Sequence, residues 1–230
     1  MQIESRIKNL DKKVFFILST ARCRSSWFGN LFTYKDSFCY NEESRYIVNW
    51  DELVDRIEQR PEKYVGFEDP ELLHYIETLY SLFPNATYVL LERDMYQSQV
   101  SLQRVSGLPI PLIARKFERW YKDIQKFKEV VSEYALINFN DMDSMMHIEQ
   151  VWKYVLPDVS FDVEKVLKIV DQDRMDILST LIRVTLVETD MDLVEAILAL
   201  RAWEQLVRQQ LAEATGPGQL FSPLEFPDEW

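Results

Sequence analysis

The residue types best suited to chemistry gather first in the segment Phe15-Phe16-Ile17-Leu18-Ser19-Thr20-Ala21-Arg22-Cys23-Arg24-Ser25-Ser26-Trp27. An apolar run ending in Ser-Thr feeds a short turn and then a helix. That arrangement gathers backbone N–H groups at a helix N-terminus, where the helix dipole favours an anion. Ser25 and Ser26 add hydroxyl donors. Arg22 and Arg24 add charge-assisted hydrogen bonds to phosphate or sulfate oxygens. The chemistry implied is the capture of a phosphorylated or sulfated ligand. The alternative is that both arginines are solvated loop charges. The Walker A pattern needs two glycines and a lysine that are absent here, so an ATPase or kinase loop fits poorly.

These residues need a scaffold, and the pattern around them supplies one. Lys13–Thr20 reads as a buried parallel strand, and from Ser26 the residues Trp27, Leu31 and Phe32 share a helix face. Ser37–Tyr40, Tyr64–Phe67, Ala86–Leu91 and Ala135–Phe139 read as further strands. Helices are expected at Asp51–Gln59, Glu71–Phe83, Tyr96–Val105, Ile113–Glu133 and around Ile148–Val155. Strands alternating with helices predict an α/β fold, a parallel sheet flanked by helices. From Val163 the pattern turns helical, with Val163–Val187 and Asp190–Ala214 and no later strand. Residues 1–160 therefore read as the α/β core, 161–215 as a C-terminal helical extension of the same domain, and 216–230 as a Pro-rich tail.

The chain has 230 residues, 47% hydrophobic and 28% charged, the balance of a globular protein and a length suited to one α/β domain. No apolar run approaches the ~20 residues that span a bilayer, and the chain reads as cytoplasmic, with no membrane partner. Cys23 and Cys39 are its two cysteines and His74 and His147 its two histidines, too few for a disulfide framework or a His-rich metal site. A net charge of −12 argues against a nucleic-acid partner, yet a local cluster of arginines can still make a positive pocket.

The loop resembles that of the sulfotransferase superfamily, which reads Pro-Arg-Ser-Gly-Ser/Thr-Ser/Thr-Trp directly after a strand. Tyr88-Val89-Leu90-Leu91-Glu92-Arg93-Asp94 is a second likeness, with Ser101 eight residues after Arg93. Ala135-Leu136-Ile137-Asn138-Phe139-Asn140-Asp141-Met142 resembles the late strand and Glu-Asp-Leu turn of the family, and Trp120 sits where its preceding helix often has Trp. The likeness covers roughly residues 12–157 in the family's order. It implies the P-loop NTPase-like sulfotransferase fold and a donor, 3′-phosphoadenylyl sulfate, with no metal. Arg22, Cys23, Arg24, Ser25, Ser26 and Trp27 would form the loop on its 5′-phosphosulfate. Arg93 and Ser101 would hold its 3′-phosphate, the serine facing back from about two helical turns on.

The acceptor would be a hydroxyl, and its proton needs a base. Phe38-Cys39-Tyr40-Asn41-Glu42-Glu43-Ser44-Arg45 looks like the Glu-bearing segment of tyrosylprotein and bacterial sulfotransferases, which makes Glu42 the base by resemblance. The alternative for Glu42 is a plain loop carboxylate. Two departures stand out. Arg24 occupies a usual glycine position, which conflicts with a backbone at positive φ or else places a second guanidinium on the donor. Glu68-Asp69-Pro70 stands where relatives have Lys-Asp-Pro, so a carboxylate replaces the cation at the leaving oxygen, and Arg24 is the candidate to supply that charge instead.

Three functional readings follow: a sulfotransferase, a sulfonucleotide-binding module without turnover, and a nucleotide kinase-like protein. Several side chains have plain structural readings. Trp27 and Trp120 read as core, His74 and His147 as structural, and Asp69 as the cap of the helix that starts near Pro70. Cys23, between two arginines at a helix start, is expected to have a depressed thiol pKa. The C-terminal helices could cover the acceptor site or form a homodimer contact.

Overall fold

A computed structural model describes residues 3–45, 47–106 and 110–170. They lie in one compact unit that ends at Val170, so the expected helices beyond that point and the Pro-rich tail lie outside the described residues. The chain begins with α1 (Ile3–Lys8), β1 (Lys13–Ser19), α2 (Ser25–Phe32), β2 (Ser37–Asn41), α3 (Trp50–Gln59) and β3 (Tyr64–Glu68). A 3-10 turn (Pro70–Tyr75) leads to α4 (Ile76–Leu82), β4 (Thr87–Glu92), α5 (Met95–Ser106), α6 (Ile110–Val130), β5 (Ala135–Asn138), α7 (Met145–Val155) and α8 (Val163–Val170). The five strands form one parallel sheet in the order β2-β3-β1-β4-β5.

β1 is apolar on both faces because both faces are covered. Val14, Phe16 and Leu18 point into a core shared with α3, α4 and α6. Phe15 and Ile17 point the other way, into a core built with α2, α7 and α8. The result is three layers, helices on each side of the sheet. α6 shows the pattern that seats such a helix: Ile113, Phe117, Trp120, Ile124 and Phe127 are all buried, spaced by three or four residues along one stripe. Gly66 faces Phe15 across the β1–β3 pair. A Cβ there would lie 2.0 Å from the Phe15 ring, so the large side chain on the central strand requires no side chain on its neighbour.

Side chains cap several of the helix starts. Asn49 caps α3 by accepting from the Glu52 N–H at 3.0 Å, while the Glu52 carboxylate accepts from the Val48 N–H at 2.8 Å. Asp94 accepts from the Gln97 N–H at the start of α5. α1 carries no motif, yet Ile3 and Ile7 pack on the first core and Arg6 pairs with Asp51, Asp55 and Glu58 of α3.

One expected element is corrected. Glu71–Phe83 is not a single helix but the 3-10 turn followed by α4. The tighter turn lets Leu72 and Leu73 both enter the core and lets the His74 ring pair with Asp123 on α6. Among the described residues, no helix is long and apolar enough to cross a membrane.

Candidate functional site

In a parallel sheet every strand delivers its C-terminal end to the same edge. Here the chain runs outward from β1 in both directions, to β3 and β2 on one side and to β4 and β5 on the other. Loops leaving β1 and β4 therefore part at this edge, the place where open α/β sheets bind ligands. The turn between β1 and α2 lies at that switch point.

Its backbone is unusual. Arg22 has φ 70° and Arg24 φ 56°, both in the left-handed region that costs a side-chain-bearing residue about 1 kcal/mol. The conflict expected at the family's glycine position is thus real. The backbone does need positive φ there, and arginine adopts it. Arg24 ends the turn as the residue before α2, and its carbonyl accepts from the Trp27 and Phe28 N–H groups. The N–H groups of the first turn, with the half-buried Ser26 and the buried Ser25, face the switch point end of the helix.

Around this turn the arginines converge. Arg22 Nε donates to Ser101 Oγ at 3.2 Å, across 79 residues of sequence. Arg93 Nη1 donates to the Arg22 carbonyl oxygen at 3.0 Å. The guanidinium of Arg93 lies 3.9 Å from the centre of the Phe139 ring, and that of Arg24 lies 4.9 Å from the same ring. Arg24 also pairs with Asp143 at 2.9 Å. Burial, and next the neighbouring Arg93 charge, hold the Arg22 guanidinium below its ordinary pKa.

Two loop residues face inward instead. Cys23 is fully buried, its Sγ 3.2 Å from Thr20 Oγ1. Burial pushes its thiol up, outweighing the Thr20 hydrogen bond and the Arg93 charge, which corrects the expected depressed value. Trp27 packs in the second core and its Nε1 donates to the Ile169 carbonyl of α8 at 3.1 Å. Its ring is core, as its spacing suggested.

The other half of the edge is acidic. Glu42 follows β2 with φ 52°, and its N–H donates to the Glu68 carbonyl at 2.7 Å, clamping the ends of β2 and β3 together. Glu43 is buried and pairs with Arg56 of α3. Asp69 accepts from the Ser44 N–H at 2.6 Å and the Glu71 N–H at 2.9 Å, which is the capping role expected of it, and burial raises its pKa. Glu68 is fully buried on the α2 face of the sheet. Gly29 of α2 passes over it so closely that a Cβ there would sit 3.4 Å from the Glu68 Cβ. The Arg24 guanidinium, by contrast, is directed to the β5–α7 segment, where Phe139 and Asp143 lie.

His74 and Trp120 stack face to face at 6.0 Å in the first core, and His74 is held by Asp123 and Glu71. Among the described residues, no group of three or more His, Cys, Asp or Glu is placed to hold a metal ion. Two residues beside the arginines are given no part in the site by the sequence alone. Phe139 reads as a strand end and Asp143 has no reading of its own, and only the β5–α7 geometry brings them to Arg24.

No family model matches the sequence, and no curated protein matches it. Solved structures do resemble it. A sulfotransferase from Alicyclobacillus acidocaldarius is 16% identical with a TM-score of 0.50, the match covering 82% of this chain and 95% of that one. A mouse sulfotransferase complexed with PAP is 9% identical with a TM-score of 0.53, over 74% of this chain and 69% of that one. Identities this low speak of fold alone: the chain has a sulfotransferase fold, a five-stranded parallel sheet flanked by helices.

Proposed function

We propose that the chain binds 3′-phosphoadenylyl sulfate at the switch point and transfers its sulfuryl group to a hydroxyl acceptor. The observation that carries this reading is the convergence of Arg22, Arg93 and Ser101 from three separate elements. Two partly buried guanidinium groups side by side repel, and the pair becomes favourable when an anion lies against both. Arg93 and Ser101 would hold the 3′-phosphate. Arg22, Ser25, Ser26 and the backbone of Cys23 would hold the 5′-phosphosulfate, with Arg24 adding charge. The developing negative charge on the leaving oxygen would be met by these same donors. Glu42, at the same edge, is the residue assigned to take the acceptor's proton.

Glu68 favours a second reading. It stands where the resemblance places a lysine, and its carboxylate is buried beneath α2. In a sulfonucleotide-binding module the donor site would persist without turnover.

The melting temperature, recorded with and without 3′,5′-adenosine bisphosphate, tests binding, since a ligand confined to the folded state must raise it. A rise that disappears in Arg93→Ala supports the donor site, and sulfate transfer to a hydroxyl acceptor supports the enzyme. A rise without transfer supports the binding module. No rise overturns both.

A further inference from the structure

We infer that Asp69 is a positioning residue: its carboxylate staples the loop that carries Glu42 to the end of β3, and so sets where the acceptor's base stands relative to the β1–α2 turn. The inference rests on the reading of Glu42 as that base. Asp69 directly follows β3 and is buried, and its two oxygens serve different loops. Oδ1 accepts from the Glu71 N–H at 2.9 Å, within its own loop. Oδ2 accepts from the Ser44 N–H at 2.6 Å, two residues beyond Glu42. A cap needs the first of these bonds alone. The second crosses 25 residues of sequence to reach the 3-10 turn Glu43–Arg45 that follows β2.

Glu42 leaves the sheet at φ 52°, a left-handed backbone that a side-chain-bearing residue keeps when its surroundings enforce it. The Glu42 N–H meets the Glu68 carbonyl at 2.7 Å and the Ser44 N–H meets Asp69, so the two hydrogen bonds bracket the turn at Glu42 from both sides. The Asp69 N–H in turn donates to the Ile17 carbonyl of β1 at 3.2 Å. β1 runs on into the turn that carries Arg22 and Arg24. One residue therefore ties the loop of the base to the strand that delivers the donor loop. In-line transfer tolerates little error in that tie, because a misplacement of ~1 Å costs about a hundredfold in rate.

Substitutions that keep the cap and remove the staple test this on the full chain. Asparagine and serine both cap well, but neither offers two acceptor oxygens. Asp69→Asn and Asp69→Ser should melt close to wild type at neutral pH and bind 3′,5′-adenosine bisphosphate with unchanged affinity by calorimetry. Amide hydrogen exchange at Glu42 and Ser44 should quicken about tenfold, the size of one lost hydrogen bond, while β1 keeps its protection. Sulfuryl transfer from 3′-phosphoadenylyl sulfate to 4-nitrophenol and to water should fall about thirty- to hundredfold in kcat with little change in the donor's KM. Adding Glu42→Gln to either variant should cost nothing further, as residues acting through one group require. Wild-type exchange at both amides, or full turnover in both variants, leaves Asp69 the cap of its own turn and overturns the inference. So does a loss of bisphosphate affinity as large as the loss of rate, which would put Asp69 at the donor rather than at the base. A wild-type chain that transfers to neither acceptor overturns the enzyme reading, and the role of Asp69 at a base with it, while quickened exchange in the variants still marks the staple.

Discussion

The two edges of the sheet handle clustered cations in opposite ways. At the edge where the strands begin, Lys13 and Lys63 share one carboxylate, with Asp158 Oδ2 at 2.9 and 2.7 Å, and the Tyr64 hydroxyl donates to the same oxygen at 2.7 Å. These donors, Lys63 first, hold the Asp158 carboxyl well below the usual carboxylate range. At the edge where the strands end, Arg22 and Arg93 meet a hydroxyl, a carbonyl and an aromatic ring. The first arrangement neutralises charge and ties the starts of β1 and β3 to the segment after α7. The second gathers charge and strained backbone: among the described residues, three of the four side-chain-bearing residues with positive φ, Arg22, Arg24 and Glu42, lie at strand-end loops of this edge. Backbone strain costs stability, and it collects at the strand-end loops of α/β sheets, where such sheets commonly place their sites.

The sharpest way to break this contrast is to remove a cation from the second edge. Arg93→Ala is expected to weaken 3′,5′-adenosine bisphosphate about a hundredfold by calorimetry, the size of a lost pair of charge-assisted bonds. Its unliganded melting temperature should hold or rise, because the repulsion felt by Arg22 goes with it. A large fall in melting temperature would place Arg93 among the structural cations of the first edge.

Arg24→Gly sharpens the account of strain. Glycine adopts positive φ without penalty, so the variant should gain about 0.5–1 kcal/mol in denaturant unfolding while binding the bisphosphate more weakly. Higher stability with unchanged affinity would leave Arg24 a strained surface residue with no part in the anion site.

Acid separates the edges by sign. Asp158 has a folded pKa below its unfolded one, so its contribution is present above about pH 4 and lost as the pH falls. Asp69 is raised by burial, so its contribution is present at low pH and lost as the pH rises through its folded value. In melting temperatures measured across pH, Asp158→Asn should flatten the loss of stability on acidification, and Asp69→Asn should steepen it above about pH 4. Two profiles tilting the same way would contradict this opposition.

The smallest effect is expected from Asp143→Asn. An exposed pair such as Arg24–Asp143 is worth under about 1 kcal/mol, so releasing Arg24 should raise bisphosphate affinity two- to threefold, roughly, with less gain at high salt. Reduced affinity would show that Asp143 aims Arg24 rather than withholding it.

Much of the scaffold was legible because its signals are local. β1 is a run too apolar for any place but the centre of a sheet covered on both faces, and the Arg93…Ser101 interval spans a strand end and two helical turns. The same kind of signal was ambiguous at Glu71–Phe83. Apolar residues three and four apart suit an α-helix and also a 3-10 turn leading into one, and the burial of both Leu72 and Leu73 decides between them. The Cys23 thiol was misjudged for a related reason. Neighbouring arginines in sequence suggest a depressed pKa, but burial against the second core dominates.

The strand, turn and helix over residues 13–32 follow from the amino-acid sequence alone, since strand apolarity and helix periodicity are properties of consecutive residues. The sequence also sets Ser101 about two helical turns beyond Arg93, because helix pitch converts eight residues into a fixed offset. Tertiary packing was needed to bring Ser101 to Arg22, to turn Arg24 toward Phe139 and Asp143, and to seal Glu68 beneath Gly29. Those outcomes depend on which strands are neighbours in the sheet. Strand order follows from burying two cores at once, a condition on the whole chain that no local spacing records.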